Sequence, residues 1–344
     1  KELGISVYPE KANTEDIFGY LDQAARYGFT RVFTNLISLE DNWQVLEKFK
    51  NICSFAREKN MKVIADINPE VLKKLNVSFD NMKFFYDLGL FGIRLDTSFT
   101  GFEESRMTYN PYGIKIEINM SSGTKYLENI LEYKPNTANL LGCHNFYPLK
   151  YTGISRAHFQ KCSEAFKSYG VPAAAFVTST AATFGAWEDY DGLCTLEEHR
   201  GLSLDTQVKD LFNTGLIDTV IVGDCYASKE ELKHVGSMDR DILCFNGELE
   251  KGISEVETNI VLAESHFNRG DVSEYVVRST GSRVKYKDHY FKLFNPRQDI
   301  KKGDILIHSS LYERYGGELQ VALKDMNNSG KTNVVGRITP EEIY

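Results

Sequence analysis

Short apolar runs return along the chain at a steady interval. Strand-type runs are read at Leu3–Tyr8, Arg31–Asn35, Lys62–Ile67, Gly92–Asp96, Ile114–Asn119, Leu140–Asn145, Ala173–Thr178 and Thr219–Asp224. The first six begin 22 to 31 residues apart, the length of one strand, one helix and two short loops. Stretches with apolar residues at helical spacing, such as Glu15–Tyr27 and Trp43–Lys59, fill the intervals. Gly28, Gly89, Gly170 and Gly215 stand where a helix would end in a left-handed cap before the next strand. Eight strands alternating with helices predict an α/β fold, a (β/α)8 TIM barrel over residues 1–240, in preference to a doubly wound open sheet.

After Ser228 the pattern changes. A helix at Lys229–Val235 closes the barrel, and a domain boundary is expected near residues 238–248. Beyond it, β-rich runs are read at Val256–Leu262, Tyr275–Val277, Arg283–Lys285, Asp304–Ile307 and Glu318–Leu323, with turn signals between them. Residues 245–344 are therefore expected to form a small all-β barrel or compact sandwich. The seventh barrel interval is unusually long: residues 182–201 are rich in glycine, acids and aromatics and predict a functional loop.

Composition narrows the partners. A net charge of -8 without any basic run argues against nucleic acid and anionic membranes. No apolar run reaches the ~20 residues a membrane span needs, and no secretory leader precedes the GISVY strand, so a cytoplasmic protein is expected. The six cysteines are scattered without a CxxC pair and are expected to be reduced thiols. No HExxH, GxGxxG after a strand, P-loop or GxSxG is present, so neither a tightly bound metal nor a cofactor is expected. Nothing in the pattern sets an oligomeric state.

The candidate chemistry lies at strand ends, where barrels of this type carry their active sites. Period-two counting turns Asp66, Arg94 with Asp96, and Glu117 with Asn119 toward the barrel interior, and leaves Ile67, Ile93, Leu95, Ile116 and Ile118 to pack under helices. The densest cluster is Leu140–Gly153, where His144, Asn145, Tyr147 and Lys150 follow one apolar run. Tyr8 and Glu10 end the first strand, Asp224 ends the eighth, and Glu188 sits on the long loop. Asp66, Asp96, Glu117 and Asp224 are the candidate catalytic acids, since glycoside hydrolysis needs two carboxyl groups or one carboxyl plus a substrate nucleophile. Taken singly, each acid fits an internal salt bridge equally well, for example with Arg94.

GISVYP at the start, GIRLD in the fourth strand, HNFYP with YTG after the sixth, and GDILIHSSLYERYGGELQVAL near the end together resemble the bacterial 6-phospho-N-acetylmuramidase family over the whole chain. The resemblance implies a TIM barrel followed by a cyclophilin-like β-barrel domain. It also implies a cytoplasmic hydrolase acting on N-acetylmuramic acid 6-phosphate β-1,4-linked to N-acetylglucosamine during peptidoglycan recycling. Such a substrate carries a phosphate and a carboxylate, for which Lys150, Arg156, Arg200 and, in the second domain, Arg278 are candidate cations. In the scheme this suggests, Asp96 or Glu117 protonates the glycosidic oxygen, and a second carboxylate, or the substrate acetamido oxygen oriented by Asp224, acts at the anomeric carbon. Two other readings stay open. One is a sugar-phosphate aldolase or isomerase using Lys115; the other is a carbohydrate- or peptide-binding protein, with Arg278, His289 and Phe291 in the second domain as a prolyl-isomerase-like set.

Overall fold

The computed structural model describes residues 1–36, 43–75, 77–182 and 184–343. The chain divides into two units, Lys1–Leu243 and Cys244–Tyr344. In the first, the expected runs become eight parallel strands: β1 (Glu2–Ser6), β2 (Arg31–Asn35), β3 (Lys62–Ile67), β4 (Gly92–Leu95), β5 (Lys115–Asn119), β6 (Leu140–Cys143), β7 (Ala173–Val177) and β8 (Thr219–Val222). They pair in chain order, and β1 also pairs with β8, which closes the barrel. The crossovers carry α1 (Thr14–Arg26), α2 (Trp43–Glu58), α3 (Pro69–Lys74), α4 (Lys83–Asp87), α5 (Phe102–Met107), α6 (Tyr126–Glu132), α7 (Arg156–Ser168), α8 (Leu204–Asn213) and α9 (Lys229–Ser237). Polar caps start several of them; Asn13 Oδ1 accepts from the Asp16 N–H at 2.8 Å, and Asn68 Oδ1 from the Val71 N–H at 2.9 Å.

Alternation along each strand separates two environments. Val32, Ile93, Ile116 and Ile118 are buried in the apolar layer that also contains Phe29, Phe49, Phe85 and Phe159. The other parity turns inward, and there β2 meets β5 across the barrel: Arg31 Nη2 donates to Glu117 Oε2, with both residues almost wholly buried. Glycine allows close approach at two places, at Gly4 beside Arg31 and at Gly92 beside the β5 backbone. A Cβ on Gly4 would stand 3.0 Å from the Arg31 Cβ, and one on Gly92 would stand 2.8 Å from the Lys115 carbonyl oxygen. At the opposite, N-terminal end of the strands, Lys115 Nζ donates to the Ala138 carbonyl at 2.7 Å and to Asn139 Oδ1 at 2.9 Å. This placement removes Lys115 from the rim where a Schiff-base lysine would be needed.

The second unit contains an antiparallel five-stranded sheet and a two-stranded ribbon. Its elements are β9 (Gly247–Leu249), α10 (Glu255–Ala263), β10 (Val276–Ser279), α11 (Gly281–Lys285), β11 (Asp299–Ile300), β12 (Asp304–His308), β13 (Leu319–Ala322), β14 (Met326–Asn327) and β15 (Thr332–Ile338). Two expected strands are helices instead. Val256–Leu262 lies in α10, because Ser254 and Glu257 form a reciprocal capping box that starts a helix despite the β-branched residues that follow. Arg283–Lys285 ends the short helix α11. The sequence pattern missed β15, which runs between β12 and β9 in the sheet.

The Arg31–Glu117 pair yields a first prediction. Glu117→Ala leaves the Arg31 charge buried without its partner and is expected to cost about 3–5 kcal/mol of stability, read by chemical denaturation. The double variant Arg31→Met/Glu117→Leu is expected to recover most of the loss. Wild-type stability in Glu117→Ala would show that the pair carries no such load.

Candidate active site

At the C-terminal mouth of the barrel the inward side chains surround a pocket of about 140 Å³. One side is polar. Arg94 Nη1 lies 2.8 Å from Asp66 Oδ1 and 3.8 Å from Asp96 Oδ1, and Arg94 Nη2 donates to Asn145 Oδ1. Strand register explains the gathering, since Asn35 pairs with Asp66 and Asp66 with Arg94 on successive strands. The other side is aromatic. Phe33 and Phe146 each meet Phe176 edge-on, with ring centroids 5.0 and 4.9 Å apart, and Trp187 from the long loop meets Phe146 at 5.6 Å. Tyr8 also lines the pocket, with its hydroxyl donating to the Gly223 carbonyl at 2.6 Å.

The two carboxyl groups flanking Arg94 live in different surroundings. Asp66 is 7% exposed, whereas the Asp96 side chain is 44% exposed. Burial pushes the Asp66 carboxyl up to about 6; Arg94 pulls it down, while the charges of Asp96 and Glu117 add to the rise. An aromatic wall facing two unequally buried carboxyls, one of them with a raised pKa, suits a sugar ring and acid–base chemistry at its anomeric carbon.

A second pocket of about 430 Å³ lies at the ends of β7 and β8, and Asp224 lines it. Asp224 Oδ2 accepts from the Thr178 hydroxyl and from the Ser179 N–H, both at 2.7 Å. Burial raises this carboxyl to about 6 as well. Glu188, expected to swing in from the long loop, lines this second pocket.

Several expected site residues have other work. His144 faces outward, because Cys143 and Asn145 take the inward parity of β6. Its ring is fully buried on α7, with Nδ1 3.0 Å from Ser121 Oγ, Nε2 2.9 Å from Ser163 Oγ, and a stacked contact with Phe159. Burial lowers its pKa to about 3, so it is a neutral hydrogen-bonding pin. Glu117 is held by Arg31 inside the barrel, and Asn119 Oδ1 accepts from the Ser121 N–H at 2.9 Å. Glu10 is exposed on the turn after β1.

The expected cations are likewise engaged. Lys150 lies 3.6 Å from Asp191, Arg156 pairs with Glu198 and Asp210, and Arg278 lies 3.5 Å from Glu318. Arg200 grips Glu197 with two bonds of 2.8 Å and donates to the Tyr147 carbonyl at 3.1 Å. Glu197 also accepts from the Tyr151 and Gly153 N–H groups at 2.8 Å each, which ties the loop after β6 to the long loop. The Tyr147 N–H donates to the Cys194 carbonyl at 3.0 Å in the same junction. Phe33, Asn35, Phe146, Phe176 and Trp187 line the first pocket but did not stand out in the sequence. For Phe33 and Asn35 the signal was parity, since they share the inward face of β2 with Arg31; Trp187 and Phe146 lie beyond strand ends, where parity gives none.

Among the described residues, no group of three or more His, Cys, Asp or Glu side chains is placed to hold a metal ion. No described helix is long and apolar enough to cross a membrane.

Comparison with known proteins adds an independent line. A family model described as 6-phospho-N-acetylmuramidase, N-terminal, matches residues 3–237, and one described as 6-phospho-N-acetylmuramidase, C-terminal, matches residues 243–344. Among solved structures, the chain is similar to an uncharacterized B. cereus protein, with 45% identity and a TM-score of 0.91 over 100% of this chain and 95% of that one. It is also similar to a conserved protein of unknown function from Enterococcus faecalis, with 25% identity and a TM-score of 0.71 over 99% of this chain and 92% of that one. No curated protein matches it.

The raised Asp224 carboxyl makes a second prediction. A carboxyl whose pKa is raised on folding contributes stability that is present at low pH and lost as the pH rises through its folded value, here about 6. Asp224→Asn keeps an acceptor for Thr178 and Ser179 but cannot ionise. Its stability relative to wild type is expected to be higher at about pH 8 than at about pH 5, by on the order of 1 kcal/mol. A difference that stays flat with pH would show that Asp224 does not titrate in this range.

Proposed function

The chain belongs to the 6-phospho-N-acetylmuramidase family, a family of glycosidases, and from that premise we propose that it hydrolyses the β-1,4 bond between N-acetylmuramic acid 6-phosphate and N-acetylglucosamine at the Arg94 pocket. The observation that carries the assignment is the pair Asp66 and Asp96, unequally buried on either side of Arg94 and facing an aromatic wall. Asp66, with its raised pKa, is the proton donor. As the glycosidic C–O bond breaks, its electron pair stays on the leaving oxygen, which takes the Asp66 proton. Asp96, the more exposed carboxylate, stabilises the positive charge that builds at the anomeric carbon. Water then supplies the hydroxyl there, and its proton returns to Asp66. This assigns to Asp66 the part that the sequence alone offered to Asp96 or Glu117.

Arg94 is the cation that lines this pocket among the described residues. While Asp66 is ionised, Arg94 is engaged with it; once Asp66 is protonated, the guanidinium charge is available to an anionic group of the substrate. Proton donation and recognition of a phosphorylated, carboxylate-bearing sugar would then be coupled through one side chain. The five buried cysteines are free thiols, which suits a reducing cytoplasm, where recycled and phosphorylated cell-wall sugars would be met.

Cleavage of the 6-phosphorylated disaccharide, with its unphosphorylated twin cut far more slowly, is the expected result of a direct assay. Asp66→Asn is expected to lower kcat by about 10²–10⁴-fold. Wild-type kcat should fall as the pH rises through about 6, where Asp66 loses its proton. An inert phosphorylated disaccharide would refute the reaction, and full activity in Asp66→Asn would refute the assignment of the acid.

A further inference from the structure

Asn145 lies just past the barrel ladder. β6 ends at Cys143, and the His144 N–H makes the next bond, to the Ala174 carbonyl at 2.9 Å. Side chains then take over the Asn145 backbone: its N–H donates to Ser121 Oγ at 2.9 Å, and its carbonyl accepts from the Thr195 hydroxyl at 2.8 Å. Ser121 is fixed in turn. Its N–H donates to Asn119 Oδ1, its carbonyl accepts from His158 Nε2 at 2.8 Å, and its hydroxyl lies 3.0 Å from His144 Nδ1. Asn145 lines the Arg94 pocket. A guanidinium can only donate, so the atom that meets Arg94 Nη2 is Oδ1. Arg94 is 3% exposed and its Nε has no hydrogen bond among the described residues, so two bonds set its plane: Nη1 to Asp66 at 2.8 Å, and Nη2 to Asn145.

We propose that Asn145, held by Ser121 and His144, is a positioning residue for the hydrolysis: it keeps Arg94 in one place through the proton transfer and divides the guanidinium between a neutral amide and the acid. The inference rests on the glycosidase reading above. The bond to Asp66 has two charged partners only while Asp66 is ionised. The bond to Asn145 is the same in both states, so it holds the guanidinium still when Asp66 carries its proton. It also keeps Nη2 away from Asp66. Without it, both Nη groups can turn to that carboxylate, and a forked pair favours the ionised form. A carboxylate in place of the amide does the reverse, drawing Arg94 away and repelling ionised Asp66. The other titratable and charged groups around Asp66 are the same in either case: Asp96 after β4, Glu117 of β5 with Arg31 of β2, the Cys143 thiol of β6, and the Tyr8 hydroxyl.

The test uses the full chain and compares wild type with Asn145→Ala, Asn145→Asp and Ser121→Ala in cleavage of the phosphorylated disaccharide, read as kcat against pH. Wild-type kcat falls as the pH rises through about 6. In Asn145→Ala that fall is expected to move at least about half a pH unit lower, an increase in acidity of about threefold. Asn145→Asp is expected to move it upward by at least as much, and Ser121→Ala to follow Asn145→Ala over a smaller distance. The alanine variant decides, because an added charge alone would also move the fall upward. A fall that stays in place or moves upward in Asn145→Ala, with kcat lowered alike at every pH, overturns the proposal. If Asn145→Ala does not fold, Ser121→Ala decides by the same criterion. If wild type does not cleave, the reaction assigned above has failed, and the proton affinity of Asp66 is followed without substrate. Its carboxyl carbon is titrated by NMR in protein labelled at aspartate and identified by its loss in Asp66→Asn. Titration displaced downward in Asn145→Ala and upward in Asn145→Asp supports the positioning role; any other order overturns it.

Discussion

Two arginines point into the interior of a closed barrel, and each must meet a carboxylate there. Arg31 meets Glu117, and Arg94 meets Asp66. A guanidinium taken out of water without a partner would cost several kcal/mol, more than a marginally stable fold can spare. Much of the inner architecture follows from this requirement. Gly4 leaves space beside the Arg31 side chain, and β2 and β5 are joined across the barrel by charge.

The two pairs differ in what surrounds them, and in the proposed reaction that difference separates scaffold from chemistry. Arg31 and Glu117 lie in the closed part of the barrel, where the bond can only hold the structure together. Arg94 and Asp66 lie at the mouth, beside the partly exposed Asp96 and under the Phe33, Phe146 and Phe176 rings. There the same kind of bond becomes adjustable, because burial brings Asp66 into a range where it exchanges a proton near neutrality. At the deeper pair the ionic bond is closed off from solvent; at the mouth, in the proposed reaction, it acts as a switch.

The loops follow the same economy. Glu197 binds Arg200 and two backbone amides, so the segment after β6 and the long loop before α8 are held as one body. Trp187 can then stand against Phe146 on one side while Glu188 and Asp189 face the second pocket on the other. Arg156 and Arg200, candidate phosphate ligands in the sequence, are consumed in building this rim.

The amino-acid sequence by itself determined the barrel. Apolar runs at a constant interval, with glycine stops between them, admit little else, because each strand and helix announces its own period. It also determined that Asp66, Arg94 and Glu117 point inward, since alternation along a strand is strictly local. Where the signal was local but mixed, as at Val256–Leu262, β-branched residues concealed a helix that the Ser254–Glu257 capping box nucleates. Only the tertiary structure decided which inward charges face each other, because the partners Arg31 and Glu117 lie 86 residues apart and meet only when the barrel closes. It likewise turned His144 from a site residue into a buried pin, and Arg200 from a ligand for phosphate into a clamp for Glu197. A side chain's chemistry depends on what lies within a few ångströms of it, and for these residues those neighbours come from distant parts of the chain.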